Sequence, residues 1–84
     1  ATLDQAEDYT GVQQYAARAI ELTPENVKAH YWLIHAMSHL GALELAKNEI
    51  TRAKLLLTSE EFASLKRYVM QDNTLPYGVL FADE

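Results

Sequence analysis

The amino-acid sequence predicts an all-α fold in which antiparallel helical hairpins stack as a short α-solenoid. Three observations carry that expectation. Apolar residues recur with helical period in successive segments, helix-stopping residues and very short turns separate those segments, and alanines sit where paired helices would cross.

The first helix is expected over Thr10 to Leu22. Val12, Tyr15, Ala16, Ala19 and Ile20 form its apolar stripe, while Gln13, Gln14, Arg18 and Glu21 take the other face. Pro24 in "LTPEN" ends that helix and suits the first turn of the next, with Thr23 as its N-cap. The second helix, Pro24 to Leu40, carries two apolar lines: Val27, Tyr31 and Ile34 on one, His30, Leu33, Met37 and Leu40 on the other. A helix apolar over so much of its surface packs on two sides. Gly41 ends it as a residue able to take positive φ, and so short a loop turns the next helix back antiparallel.

The third helix, Ala42 to Leu57, points Leu43, Ala46, Ile50, Ala53 and Leu57 inward and leaves Lys47, Asn48, Glu49, Thr51 and Arg52 largely outside. Thr58 and Glu61 form a capping box that starts a fourth helix, with Phe62, Leu65 and Val69 inward and an end near Asp72 and Asn73. Lys66, Arg67 and Tyr68 are expected in solvent, Tyr68 close to the tail. Residues 1–7 read as a helix remnant, so residues 1–74 form the helical domain and residues 75–84 a tail with a Pro-Tyr-Gly turn and no helix of its own. Leu75, Val79, Leu80 and Phe81 are expected to fold over the fourth helix, because the end of a solenoid needs its apolar face covered; the competing reading is the start of a following segment.

Composition narrows the function. Eighty-four residues, 49% of them apolar, allow one core and leave no room for a second domain. The net charge is −5, and the 7 basic residues are scattered rather than striped, which argues against direct nucleic-acid contact from this segment. Cysteine is absent, so disulfides, thiolate catalysis and cysteine-ligated zinc are excluded. No apolar run approaches the ~20 residues that span a bilayer. These features predict a soluble, cytoplasmic chain without a membrane partner. A chain that starts at Ala1 in sequence already reading as helix is expected to be a piece of a longer protein.

A shift of ~34 residues, a known helical-repeat period, aligns only Arg18 with Arg52, Ala19 with Ala53, Leu22 with Leu56 and Ala29 with Ala63. The pattern of sizes says more. Leu40, Gly41 and Leu43 at a turn, followed by Ala46, Ile50 and Ala53, parallel Asp8 and Tyr9 followed by Val12, Ala16, Ala19 and Pro24. This arrangement resembles a tetratricopeptide repeat, with one complete unit over residues 27–60. It departs from the repeat pattern at His30, where Trp is usual, at Ile34, where Gly or Ala is usual, and at Thr58, where Pro is usual. A narrower resemblance is to the bacterial transcriptional activator domain, a tetratricopeptide-like module of regulators that also carry a winged-helix DNA-binding domain. Ala29-His30, Leu33 and Gly41 follow that family's pattern, whereas Ile50 stands where an aromatic is usual. What these resemblances imply is a module for protein or peptide binding, or for homodimerisation, the second within a transcription regulator.

His35 and His39 stand four apart on one helix face, a spacing that suits a metal ion. A zincin-type site needs a glutamate after the first histidine, where this chain has Ala36, and no third ligand lies nearby in sequence. In the repeat register Lys28, Tyr31, His35, Ser38 and His39 line the concave side of the second helix. Two readings stay open for that face, a groove for a protein or peptide and an ordinary solvated surface. It lacks the paired lysines and asparagines with which some tetratricopeptide groups clamp a C-terminal carboxylate. Trp32 is expected to point toward the neighbouring hairpin; left exposed, it would be an interface anchor. No glycine-rich phosphate loop is present, and no nucleophile has a base at motif spacing. Glu60 and Glu61 are explained by the start of the fourth helix. The expectation is a protein that is not an enzyme and needs no metal or cofactor.

Overall fold

A computed structural model describes residues 9–82. Among them it is all-helical: α1 (Tyr9–Leu22), α2 (Val27–His39), α3 (Leu43–Leu56), α4 (Ser59–Gln71) and a single turn α5 (Tyr77–Leu80), without a strand. No described helix is long and apolar enough to cross a membrane. The expected helix remnant at residues 1–7 lies outside the described residues.

The joint between α1 and α2 differs from the expected one. Thr23 is not the N-cap and Pro24 is not in the helix. Asn26 caps α2, its side chain accepting from the Ala29 amide at 3.2 Å, and the Asn26 amide donates to the Thr23 carbonyl at 3.0 Å. The fixed φ of proline serves the second position of a β-turn as well as the first turn of a helix. With two capping residues three apart, the turn selects the later one.

The other ends form as expected. Gly41 adopts φ +83°, and the Gly41 and Ala42 amides donate to the Ser38 and Met37 carbonyls at 3.1 and 2.8 Å, a Schellman closure. The Thr58–Glu61 box closes in both directions, at 3.0 and 3.1 Å.

The two apolar lines of α2 enter two separate cores. Ala29 and Leu33 join Ala16 and Ile20 of α1. Ile34 joins Ala46, Ile50 and Ala53 of α3, Phe62, Leu65 and Val69 of α4, and Leu75, Leu80 and Phe81 beyond it. Met37 touches both clusters. Of the alanines expected at the helix crossings, Ala46 and Ala53 are fully buried and keep nothing longer than a methyl between backbones, Ala36 is buried with them, and Ala19 is only partly buried beside the α1–α2 core. α2 therefore packs against α1, α3 and α4.

Several positions correct the expectation. The tail does form a helical turn, α5. Pro76 precedes it, and its missing amide donor costs nothing there because the first N–H groups of a helix have no internal partner. Leu75, Leu80 and Phe81 are buried while Val79 is half-exposed, and α5 packs on α3 with Phe81 reaching Phe62 of α4. Lys66 is not free in solvent; its ammonium lies about 6 Å from the Phe62 and Phe81 rings. Tyr68 faces Tyr31 across a ring separation of 6.0 Å rather than the tail. Glu49, expected outside, is buried, and Trp32, expected in the core, is 46% exposed.

Candidate functional site

Of the five residues expected to line a groove, three converge on the end of α4. Asp72, its C-cap, is the hub. One carboxylate oxygen accepts from the Tyr31 hydroxyl at 2.6 Å and from His35 Nδ1 at 2.8 Å, and the other from the amide and hydroxyl of Thr74 at 3.0 and 2.5 Å. The Thr74 hydroxyl proton is thus committed to Asp72, so its oxygen accepts from His39 Nε2 at 2.9 Å. The His39 ring stacks on Tyr9 with centroids 4.6 Å apart, and His35 lies 4.4 Å from His39 and 5.4 Å from Trp32.

This network sets the charge states. Burial alone would raise the Asp72 carboxyl, but hydrogen bonds from Thr74, Tyr31 and His35 outweigh it and hold the group well below the ordinary carboxylate range. Burial, and then the hydrogen bond and charge of Asp72, push the Tyr31 phenol well above its usual value. Tyr31, His35 and His39 thereby tie the middle of α2 to the end of α4 and the start of α1. One nitrogen of each histidine is already engaged, and among the described residues no group of three His, Cys, Asp or Glu side chains is arranged for a metal ion.

Ser38 and Lys28 lie apart from this network. The Ser38 hydroxyl is buried and has no hydrogen-bond partner among the described residues. Lys28 lines a different feature, an open groove of about 440 Å³ between α1 and α2. Val12, Tyr15, Ala16 and Ala19 form one wall; Asn26, Lys28, Ala29 and Trp32 form the other. Tyr15 stands 80% exposed at its edge. The small alanines make the groove, and the aromatics flanking it are large surfaces that the fold leaves uncovered.

A second hollow, about 310 Å³, opens above Glu49 between Ile20, Glu21, Pro24, Leu33, Arg52 and Leu56. Beneath it His30 and Glu49 form a buried pair 2.8 Å apart. Sequence reasoning missed that pair and the role of Asp72. His30 did leave a signal, as the one imidazole within an otherwise apolar line of α2. Asp72 left none, since an acid at the end of a helix predicts no partner 41 positions earlier.

Comparison with known proteins found no family model, no curated relative and no solved structure that matches this chain.

Proposed function

We propose that this chain is a non-enzymatic helical interaction module that engages a protein segment, from a partner or from a second copy, in the groove between α1 and α2. The observation carrying this reading is the pairing of an open, alanine-floored groove with two uncovered aromatics, Tyr15 and Trp32. Tyr and Trp supply large contact area with few rotatable bonds, and they dominate binding hot spots. The packing of α2 against α1, α3 and α4 is what stacked tetratricopeptide-like hairpins require, and it supports that architecture for the module. Self-association is the form this proposal takes under the activator-domain resemblance.

The test combines light scattering over a range of concentrations with selection of helical peptides on the immobilised chain. Either a dimer or a selected peptide should perturb the NMR signals of Lys28 and Trp32, and a Tyr15→Ser, Trp32→Ser variant should lose it while keeping its helical circular dichroism. A chain that stays monomeric and selects no peptide, or whose complex survives both substitutions, would remove the proposal.

A further inference from the structure

The turn before α2 and the middle of α3 meet on one buried imidazole. His30 is 0% exposed; its Nε2 lies 2.7 Å from the Pro24 carbonyl oxygen and its Nδ1 lies 2.8 Å from Glu49 Oε2. A carbonyl oxygen can only accept, so Nε2 carries a proton. Glu49 is equally constrained: Arg52 Nη1 stands 3.5 Å from its other oxygen, Oε1, and favours the ionised carboxylate, which also only accepts. Nδ1 must then carry a proton too. A neutral imidazole would turn a lone pair toward one of the two oxygens, and no water-exposed side of the ring exists to relieve the repulsion.

We propose that His30 is a proton-operated latch: as the imidazolium it ties the Thr23–Asn26 turn to α3, and loss of one proton releases that tie and loosens the α1–α2 joint. The latch stands whether or not the groove between α1 and α2 binds a partner. The charged groups around it come from every side of the hollow. Glu49 on α3 favours the charged ring, Arg52 on α3 opposes it, and Glu21 reaches the same hollow from α1. Burial by itself would push the imidazole down, but the bonds to Glu49 and Pro24 and the Glu49 charge outweigh burial, so the net direction is upward from 6.5. A folded value raised above the unfolded one gives stability that is fully present below the unfolded value and lost as pH rises through the folded one. The latch therefore holds in acid and opens as pH rises through that raised value.

The test is a pH titration of the 84-residue chain, between about pH 5 and 10, followed by proton–nitrogen correlations of the histidine rings and by amide exchange. The expected result is a His30 ring protonated on both nitrogens at neutral pH, with a midpoint above 6.5 and faster exchange of the Asn26 amide as the ring deprotonates. In Glu49→Gln the midpoint should fall by about 1 to 3 units, the range for loss of an adjacent opposite charge, and the alkaline drop in melting temperature should vanish. A neutral, single-tautomer ring at neutral pH in the unaltered chain overturns the proposal. So does a His30 midpoint that Glu49→Gln leaves unmoved, or Asn26 exchange that does not follow the ring. Because the unaltered chain supplies the first criterion, a poorly folded variant does not remove the test.

Discussion

Phe81 is the sharpest place to test whether the tail belongs to the core. Its ring is 7% exposed, lies 4.8 Å from Tyr77 and 6.1 Å from Phe62, and closes the cluster over α3 and α4. Phe→Ala in a core costs about 3–5 kcal/mol. The lower end applies here, about 3 kcal/mol, because the site is at the molecule's edge and the chain around it can relax into part of the space. An 84-residue domain has a total stability of about 4–13 kcal/mol, at roughly 0.05–0.15 kcal/mol per residue. Phe81→Ala should therefore remove a large share of it. With a urea slope near 1 kcal/mol per molar, about 3 kcal/mol shifts the midpoint by about 3 M, and the melting temperature by about 12–24 °C. Removing residues 75–84 deletes Leu75 and Leu80 as well; at about 1.5–3 kcal/mol per buried side chain the loss reaches about 5–9 kcal/mol, enough to leave the chain largely unfolded. The assay is urea denaturation followed by far-ultraviolet circular dichroism, with Val79→Ala, at a half-exposed position, as the control. A Phe81→Ala midpoint within about 0.5 M of the parent, the size of a neutral surface change, would show that the tail does not close this core.

Three further outcomes follow from the same packing. Ala53→Leu forces three more carbons into a fully buried helix crossing and should cost about 1–3 kcal/mol in urea denaturation, whereas Ala63→Leu on the exposed side of α4 should stay within about 0.5 kcal/mol. Gly41→Ala puts a Cβ on a backbone at φ +83° with open space around it, so its cost is backbone strain alone, about 1 kcal/mol in thermal denaturation. Spectrophotometric alkaline titration should find Tyr31 still neutral well above the ordinary phenol range, and Asp72→Asn should lower its value only in part, because burial, the largest cause, remains. Because the folded Asp72 value is lowered, its contribution is present above the ordinary carboxylate value and disappears as pH falls through the folded one, so the same variant should flatten the acid side of the stability profile.

The helices, their caps at Thr58 and Gly41 and the double burial of α2 were legible in the amino-acid order because each is a local or periodic property. A capping box spans four residues, a left-handed cap needs one glycine, and two apolar lines on one helix imply two neighbours whatever those neighbours are. Proximity in the chain was insufficient at the α1–α2 joint, where Thr23 was the expected cap and the Pro24 turn moved that role to Asn26. The candidate site was hardly legible at all. Lys28, Tyr31, His35 and His39 share a helix face by period, yet Tyr31, His35 and His39 bond to the end of α4 while Lys28 faces α1. Which of these contacts forms depends on where one helix ends relative to another, and a period carries no such information.

Glu49 makes the division plain. Among the polar residues of α3 its sequence surroundings mark it for water, and its burial follows only once His30 arrives from a different helix to share a proton with it. Trp32 is the reverse case, an apolar residue by composition that is left half in solvent because the alanines of α1 do not rise to cover it. Periodicity and the caps determined where α1 to α4 run and which side of each is mainly apolar. Tertiary packing decided which polar groups meet in the interior and which aromatics stay uncovered, because charge pairing and surface burial are properties of two segments at a distance and exist in neither one alone.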